Sequence, residues 1–143
     1  MQKVFNTGSQ NETEALGEEL GALLGAGDTV CFYGGLGAGK TALVRGIVKS
    51  FGFEEQVTSP TFAIVNEYNG DKIKIAHFDM YRITGEDDLY STGFYDYLDN
   101  EHLILIEWSE NIPFALDGNE KSVAIIDKGG DAREIIIEMG EAQ

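Results

Sequence analysis

Residues 34–41 read Gly-Gly-Leu-Gly-Ala-Gly-Lys-Thr and match G-x-x-x-x-G-K-[ST], the Walker A phosphate loop. Glycines let the backbone take positive φ and turn its N–H groups inward around phosphate oxygens, while a helix that follows aims its positive dipole end at the same anion. The expected phosphate-binding set is therefore Gly35, Leu36, Gly37, Ala38, Gly39, Lys40, Thr41 and Ala42. Lys40 would neutralise the β and γ phosphates, and the Thr41 hydroxyl would hold Mg²⁺. A chain of this composition spells such a string by chance roughly 0.01 of the time.

Two acids stand where apolar strands should end. Asp79 follows Lys74-Ile75-Ala76-His77-Phe78, and Glu107 follows Leu103-Ile104-Leu105-Ile106. In open α/β sheets the ligand crevice lies beyond the carboxyl ends of the strands, so both carboxylates can converge on the phosphate loop. Asp79 is the candidate for the magnesium shell. Glu107 is the candidate for magnesium, for orienting the attacking water, or for both. Lys40, Asp79 and Glu107 form the catalytic set, against the plainer reading of strand-end acids facing solvent. Thr58, Ser59 and Thr61 flank Pro60 in a hydroxyl-rich loop that can close over the γ phosphate as a switch, or serve as an ordinary Ser-Pro turn.

These residues need a frame to position them. Ala15, Leu16, Leu20, Leu23 and Leu24 recur at helical spacing and predict a helix over 11–24; residues 29–33 predict a strand, and 41–51 a second helix ending at Gly52. Strands over 62–68 and 72–78 flank Asn69-Gly70-Asp71, whose Asn-Gly pair favours a tight hairpin turn. Residues 103–107 predict a buried strand, and 123–126 with 135–137 a hairpin closed by Lys128-Gly129-Gly130-Asp131. The order implies one α/β domain over residues 1–143, similar to P-loop NTPases: a central mixed sheet with flanking helices and antiparallel edge hairpins.

Composition narrows the function. The 143 residues carry 25 Asp plus Glu against 10 Lys plus Arg, a net charge of −15, and the bases are scattered, so the chain alone should grip nucleic acid poorly. The start has no basic stretch followed by an apolar segment and no window approaches a membrane span, which predicts a protein without membrane contact. The single cysteine, Cys31, lies in an apolar run and reads as a small buried hydrophobe, in keeping with a reducing cytoplasm. His77 and His102 are isolated and read as packing or locally bonded residues rather than zinc ligands. Trp108 reads as core or as crevice wall. Absence of N-K-x-D favours ATP over GTP. Only Arg45, Arg82 and Arg133 are available to clamp a second phosphate, which disfavours a small-molecule kinase. Residues 86–101 hold six acids and no Lys or Arg, either a solvated face or a partner-docking surface.

GGLGAGKT, then Ser59-Pro60-Thr61-Phe62, His77-Phe78-Asp79-Met80-Tyr81-Arg82 and Glu107-Trp108, at these intervals, resemble the TsaE-type ATPases of bacterial tRNA threonylcarbamoyladenosine synthesis. The resemblance implies an ATP- and Mg²⁺-dependent ATPase acting with TsaB and TsaD proteins in the modification of adenosine 37 in tRNAs reading ANN codons, with tRNA reached only through the complex. It implies that Asp79 serves as the Walker B acid, that Glu107 contacts magnesium and supports hydrolysis, and that Thr13 and Arg133 lie near the base and ribose of the nucleotide. Gly35 departs from the family, which commonly has an acid there. With no arginine finger unless Arg82 moves inward, the expected turnover is slow alone and stimulated by a partner. A nucleotide-gated binding module with incidental hydrolysis is the competing reading.

Overall fold

The computed structural model describes residues 2–34, 39–53 and 65–139. Gly35, Leu36, Gly37, Ala38, Thr58, Ser59 and Thr61, and the start of the first hairpin strand at Phe62, lie outside the described residues.

Among the described residues the strands are β1 (Gln2–Thr7), β2 (Thr29–Tyr33), β3 (Val65–Asn69), β4 (Lys74–Asp79), β5 (His102–Glu107), β6 (Lys121–Gly129) and β7 (Ala132–Glu138). They form one sheet in the order β1-β7-β6-β2-β5-β4-β3. β6, β2, β5 and β4 are mutually parallel, while β3 runs antiparallel on β4, β7 on β6 and β1 on β7. This is the mixed sheet with antiparallel edges that the sequence predicts.

Helices α1 (Gln10–Gly21) and α2 (Lys40–Ser50) cover one face. Leu16, Leu20, Leu43, Val44 and Ile47 pack there on Val30, Phe32, Ile75, Leu103 and Leu105. The opposite face buries Cys31, Ala76, Phe78, Ile104 and Ile106 beneath α3 (Glu86–Ser91) and single 3₁₀ turns at Phe94–Tyr97, Ser109–Asn111 and Pro113–Ala115. Strands of the parallel centre are apolar on both faces because both faces are covered.

The end of the first helix, the first hairpin turn and the far edge of the sheet differ from expectation. The first helix stops at Gly21 rather than Leu24, because Leu23 and Leu24 donate to carbonyls three residues back and tighten the last turn into 3₁₀ geometry. Its start is a Ser-x-x-Glu cap: Ser9 Oγ accepts from Glu12 N–H at 3.1 Å, and Glu12 Oε1 accepts from Gly8 N–H at 2.9 Å. The β3–β4 turn is centred on Asp71-Lys72, with Gly70 N–H donating to the Ile73 carbonyl at 3.0 Å, so Asn69 pairs with Lys74 within the ladder. Gly70 is needed for space: a Cβ there would sit 3.0 Å from the Phe53 ring. Edge strand β1 is an addition to the predicted set.

Helices α1 and α2 cross backbone to backbone. A Cβ on Gly17 would overlap the Leu43 carbonyl oxygen, and one on Gly46 would overlap the Glu14 carbonyl oxygen and lie 2.9 Å from Glu18 N. That crossing fixes where α2 begins relative to the sheet. Gly46→Ala gains about 1 kcal/mol of helix propensity. Overpacking against rigid backbone should outweigh it, for a net loss of about 2 kcal/mol and a fall in Tm of roughly 5–10 °C by calorimetry. Gly25→Ala, with no atom within 4 Å of the added Cβ, is the matched control and should melt within about 1 °C of the parent.

Candidate functional site

β2 ends at Tyr33, the chain turns at Gly34 with φ +151°, and α2 starts after Gly39, its N-cap, with φ +107°. Both angles lie where a Cβ is disfavoured, so glycine is the residue that allows this turn. Lys40 is therefore the first residue of α2, with Thr41 half-buried and Ala42 buried behind it.

Lys40 is only 6% exposed. Its Nζ donates to the Gly34 carbonyl at 2.9 Å, lies 3.7 Å from Glu107 Oε1 and stands 5.1 Å from the centre of the Trp108 ring. Glu107 is itself buried and takes a second, shorter contact, 2.6 Å from its Oε2 to His77 Nε2. Asp79 is the register partner of Glu107 across β4 and β5. Because side chains alternate along a strand, His77 and Asp79 on β4 share a face with Glu107 on β5, the face that α2 covers. The structure thus brings Lys40, Asp79 and Glu107 to one end of the sheet, as predicted from strand ends.

The two acids differ electrostatically. Burial alone would raise the Glu107 carboxyl, but the hydrogen bond and charge of His77 and the ammonium of Lys40 prevail and hold it below its ordinary value. Asp79 is pushed up, chiefly by burial and also by the charge of Glu107, against the lowering effect of the Tyr81 N–H bonded to its Oδ1 at 2.9 Å. Two carboxylates on neighbouring strands beside one buried ammonium make a place where a further cation would be welcome. Among the described residues no three His, Cys, Asp or Glu side chains converge on a metal position.

Thr13 and Arg133 lie at the other side of the loop end. A Cβ on Gly39 would be 3.8 Å from Arg133 Nε and 4.0 Å from Thr13 Cγ2. Thr13 Oγ1 bonds Thr7 Oγ1 at 2.7 Å, and Thr7 is paired with Arg133 in the β1–β7 ladder. Arg133 bonds the Gly130 and Ala132 carbonyls at 2.8 Å each and Asp127 at 3.3 Å. Thr7 was not among the predicted residues; only the pairing of the first strand with the last brings it here.

Other expectations resolve locally. Arg45 pairs with Glu14 of α1 at 3.3 Å, a helix-to-helix contact, and Arg82 is exposed. Cys31 is buried, and desolvation pushes its thiol up to about 11, so it stays an inert hydrophobe. Trp108 packs on the core of the face that buries Cys31: it is half-buried, takes φ +62°, and its ring meets Tyr81 edge-on at 4.9 Å and lies beneath Lys40. Of the six acids in 86–101, Asp88 is bonded to Thr84 and Asp99 to His102, so part of that run is local structure. No helix among the described residues is long and apolar enough to cross a membrane.

Comparison with known proteins gives these features a family. The profile of "Threonylcarbamoyl adenosine biosynthesis protein TsaE" matches residues 7–135. Over 131 residues the chain is 34% identical to the tRNA threonylcarbamoyladenosine biosynthesis protein TsaE of Bacillus subtilis, covering 92% of this chain and 82% of that one. The TsaE protein of Rickettsia conorii is 38% identical over 131 residues, covering 82% of this chain and 74% of its own. The crystal structure of Bacillus subtilis YdiB superposes with a TM-score of 0.81 at 30% identity, over 98% of this chain and 87% of that one. With the profile spanning most of the chain, and with relatives matched along most of their own length, this chain belongs to the TsaE family of tRNA threonylcarbamoyladenosine biosynthesis proteins.

Proposed function

We propose that this chain binds ATP with Mg²⁺ and hydrolyses it, slowly alone and faster with TsaB and TsaD partner proteins, and that this turnover serves threonylcarbamoyladenosine formation at position 37 of tRNAs reading ANN codons. The observation that carries the reading is the convergence of Lys40, Asp79 and Glu107 at the start of α2, directly after a glycine-turned strand end.

The donor chemistry suits a small hard cation. Thr41 hydroxyl, Asp79 and Glu107 supply only oxygen, and sites of this type hold Mg²⁺ through one or two carboxylates completed by substrate phosphates rather than through a full protein cage. Thr41, Asp79 and Glu107 would hold Mg²⁺, and when bound it would offset negative charge developing on the leaving group. Lys40 meanwhile gives up the Gly34 carbonyl and Glu107 for the β and γ phosphates. That exchange frees Glu107 Oε1. An ionised carboxylate there accepts a hydrogen bond from water and orients it for attack. The Trp108 and Tyr81 rings wall the crevice and limit the water that reaches it. Thr13 and Arg133, beside Gly39, serve the base and ribose side of the nucleotide.

The surface favours an indirect route to tRNA. A chain of net charge −15 repels phosphate backbones, so the partner proteins hold the RNA.

Two measurements test this reading. ATP hydrolysis and tRNA modification, assayed with TsaB and TsaD partners, should both be lost in Lys40→Ala, whereas Glu107→Ala should bind ATP and turn it over about 100-fold more slowly. Unchanged tRNA modification in Lys40→Ala would remove ATP from the account. The second concerns Asp79. Its carboxyl is raised in the fold, so its ionised form costs stability above the folded pKa, and the cost disappears below the ordinary value of 3.8. Asp79→Asn should therefore melt higher than the parent at pH 7 without Mg²⁺, with a difference that shrinks as pH falls through the aspartate range. Mg²⁺ with ATP should stabilise the parent more than the variant. A pH-independent difference would contradict the electrostatic assignment.

A further inference from the structure

His77 is the buried polar side chain at this end of the sheet that the chemistry above does not use. It is fully buried in mid-β4, flanked in sequence by Ala76 and Phe78 and paired in register with Leu105. Burying an imidazole costs free energy unless its nitrogens find partners. Only one does. Nε2 lies 2.6 Å from Glu107 Oε2, and Nδ1 has no hydrogen-bond partner among the described residues. An ionised carboxylate can only accept, so Nε2 carries a hydrogen toward it, and Nδ1 is left unmet. Leucine would fill this strand position without an orphaned ring nitrogen, so the histidine gains the fold nothing at Nδ1. What it does is confined to Glu107.

The two oxygens of Glu107 are divided between two tasks. Oε2 is tied to His77 from the neighbouring strand, one pleat away on the shared face, a diagonal reach that long side chains make across adjacent strands. Oε1 faces Lys40 at 3.7 Å. With one oxygen tied, the carboxylate cannot rotate to offer both to the crevice.

We infer that His77 is a positioning residue: its Nε2–H fixes the Glu107 carboxylate so that Oε1 alone is presented to Lys40 and, after phosphate has drawn Lys40 away, to the attacking water. The kinetic half of this inference rests on the ATPase reading above, while the hydrogen bond itself does not.

The test uses the full chain with His77→Gln, His77→Asn and His77→Leu. The glutamine amide reaches the place of Nε2 and can still donate to Glu107; the asparagine amide reaches only the place of Nδ1. With partners present, His77→Leu and His77→Asn should lose about 10- to 100-fold in kcat, the usual loss when an outer partner of a site carboxylate is removed. KM for ATP, and ATP affinity by Trp108 fluorescence, should stay within about twofold of the parent in all three. His77→Gln should recover most of kcat. Equal kcat in the leucine variant and the parent, rescue by asparagine as full as by glutamine, or a loss carried wholly by KM would each overturn the inference. A proton NMR spectrum of the nucleotide-free chain separates it from the ATPase reading. A downfield, exchange-protected ring N–H signal should be present in the parent and absent in Glu107→Ala and His77→Gln. Without that signal the positioning contact falls, whatever the fate of ATP hydrolysis.

Discussion

A lysine ammonium with 6% of its surface exposed must be compensated where it sits, and the pairing of Lys40 with Glu107 supplies that compensation. Removing either partner alone strands the other's charge in a low-dielectric pocket. Such a pair is a poor source of net stability, since desolving both ions costs about as much as their attraction returns. Its value lies in exchange. On the proposed function, phosphate replaces Glu107 as the counter-charge of Lys40 and releases the carboxylate for other work.

The fold is arranged around that ion pair. Parallel pairing of β2 with β5 and of β5 with β4 brings the strand ends carrying Gly34, Glu107 and Asp79 to one edge. The glycine crossing of α1 on α2 presses α2 onto the sheet so that its first residue meets β5. Rigid elements, rather than loops, therefore hold both halves of the ion pair. The strained φ of Trp108, immediately after Glu107, turns an aromatic ring back under the lysine. Strain is concentrated where the chain changes from scaffold to site.

How far this was legible in the sequence follows from how local each feature is. The run 29–33 is a strand as spelled, because an apolar, partly β-branched segment between glycines has few alternatives, and the acids closing β4 and β5 stand out against apolar neighbours. The Lys128–Asp131 hairpin is also as expected. β1 was not legible: it is a polar edge strand whose partner, β7, lies at the far end of the chain. The turn after Asn69 is centred on Asp71-Lys72, beyond the Asn-Gly pair, with Asn69 still paired to Lys74 in the ladder, a register set by β4 that the dipeptide does not spell. The bond of His77 to Glu107 needs the register of β4 against β5, which no single segment encodes. Its one sequence signal is its place two residues before Asp79, on the same side of the strand.

Net charge of −15 and a buried lysine at the carboxyl end of the sheet belong to one design in the proposed function. On that proposal the acidic exterior disfavours RNA contact, and the buried Lys40 is the anion receptor. The central claim is that Lys40 is the anion receptor and trades Glu107 for phosphate. Trp108 is the sole tryptophan and stands 5.1 Å from Lys40 Nζ, so its emission reports the trade directly. Titration of the full chain with ATP and Mg²⁺ should give a saturable change in that emission, absent in Lys40→Ala. An isotherm in Lys40→Ala that overlays the parent's would contradict the account.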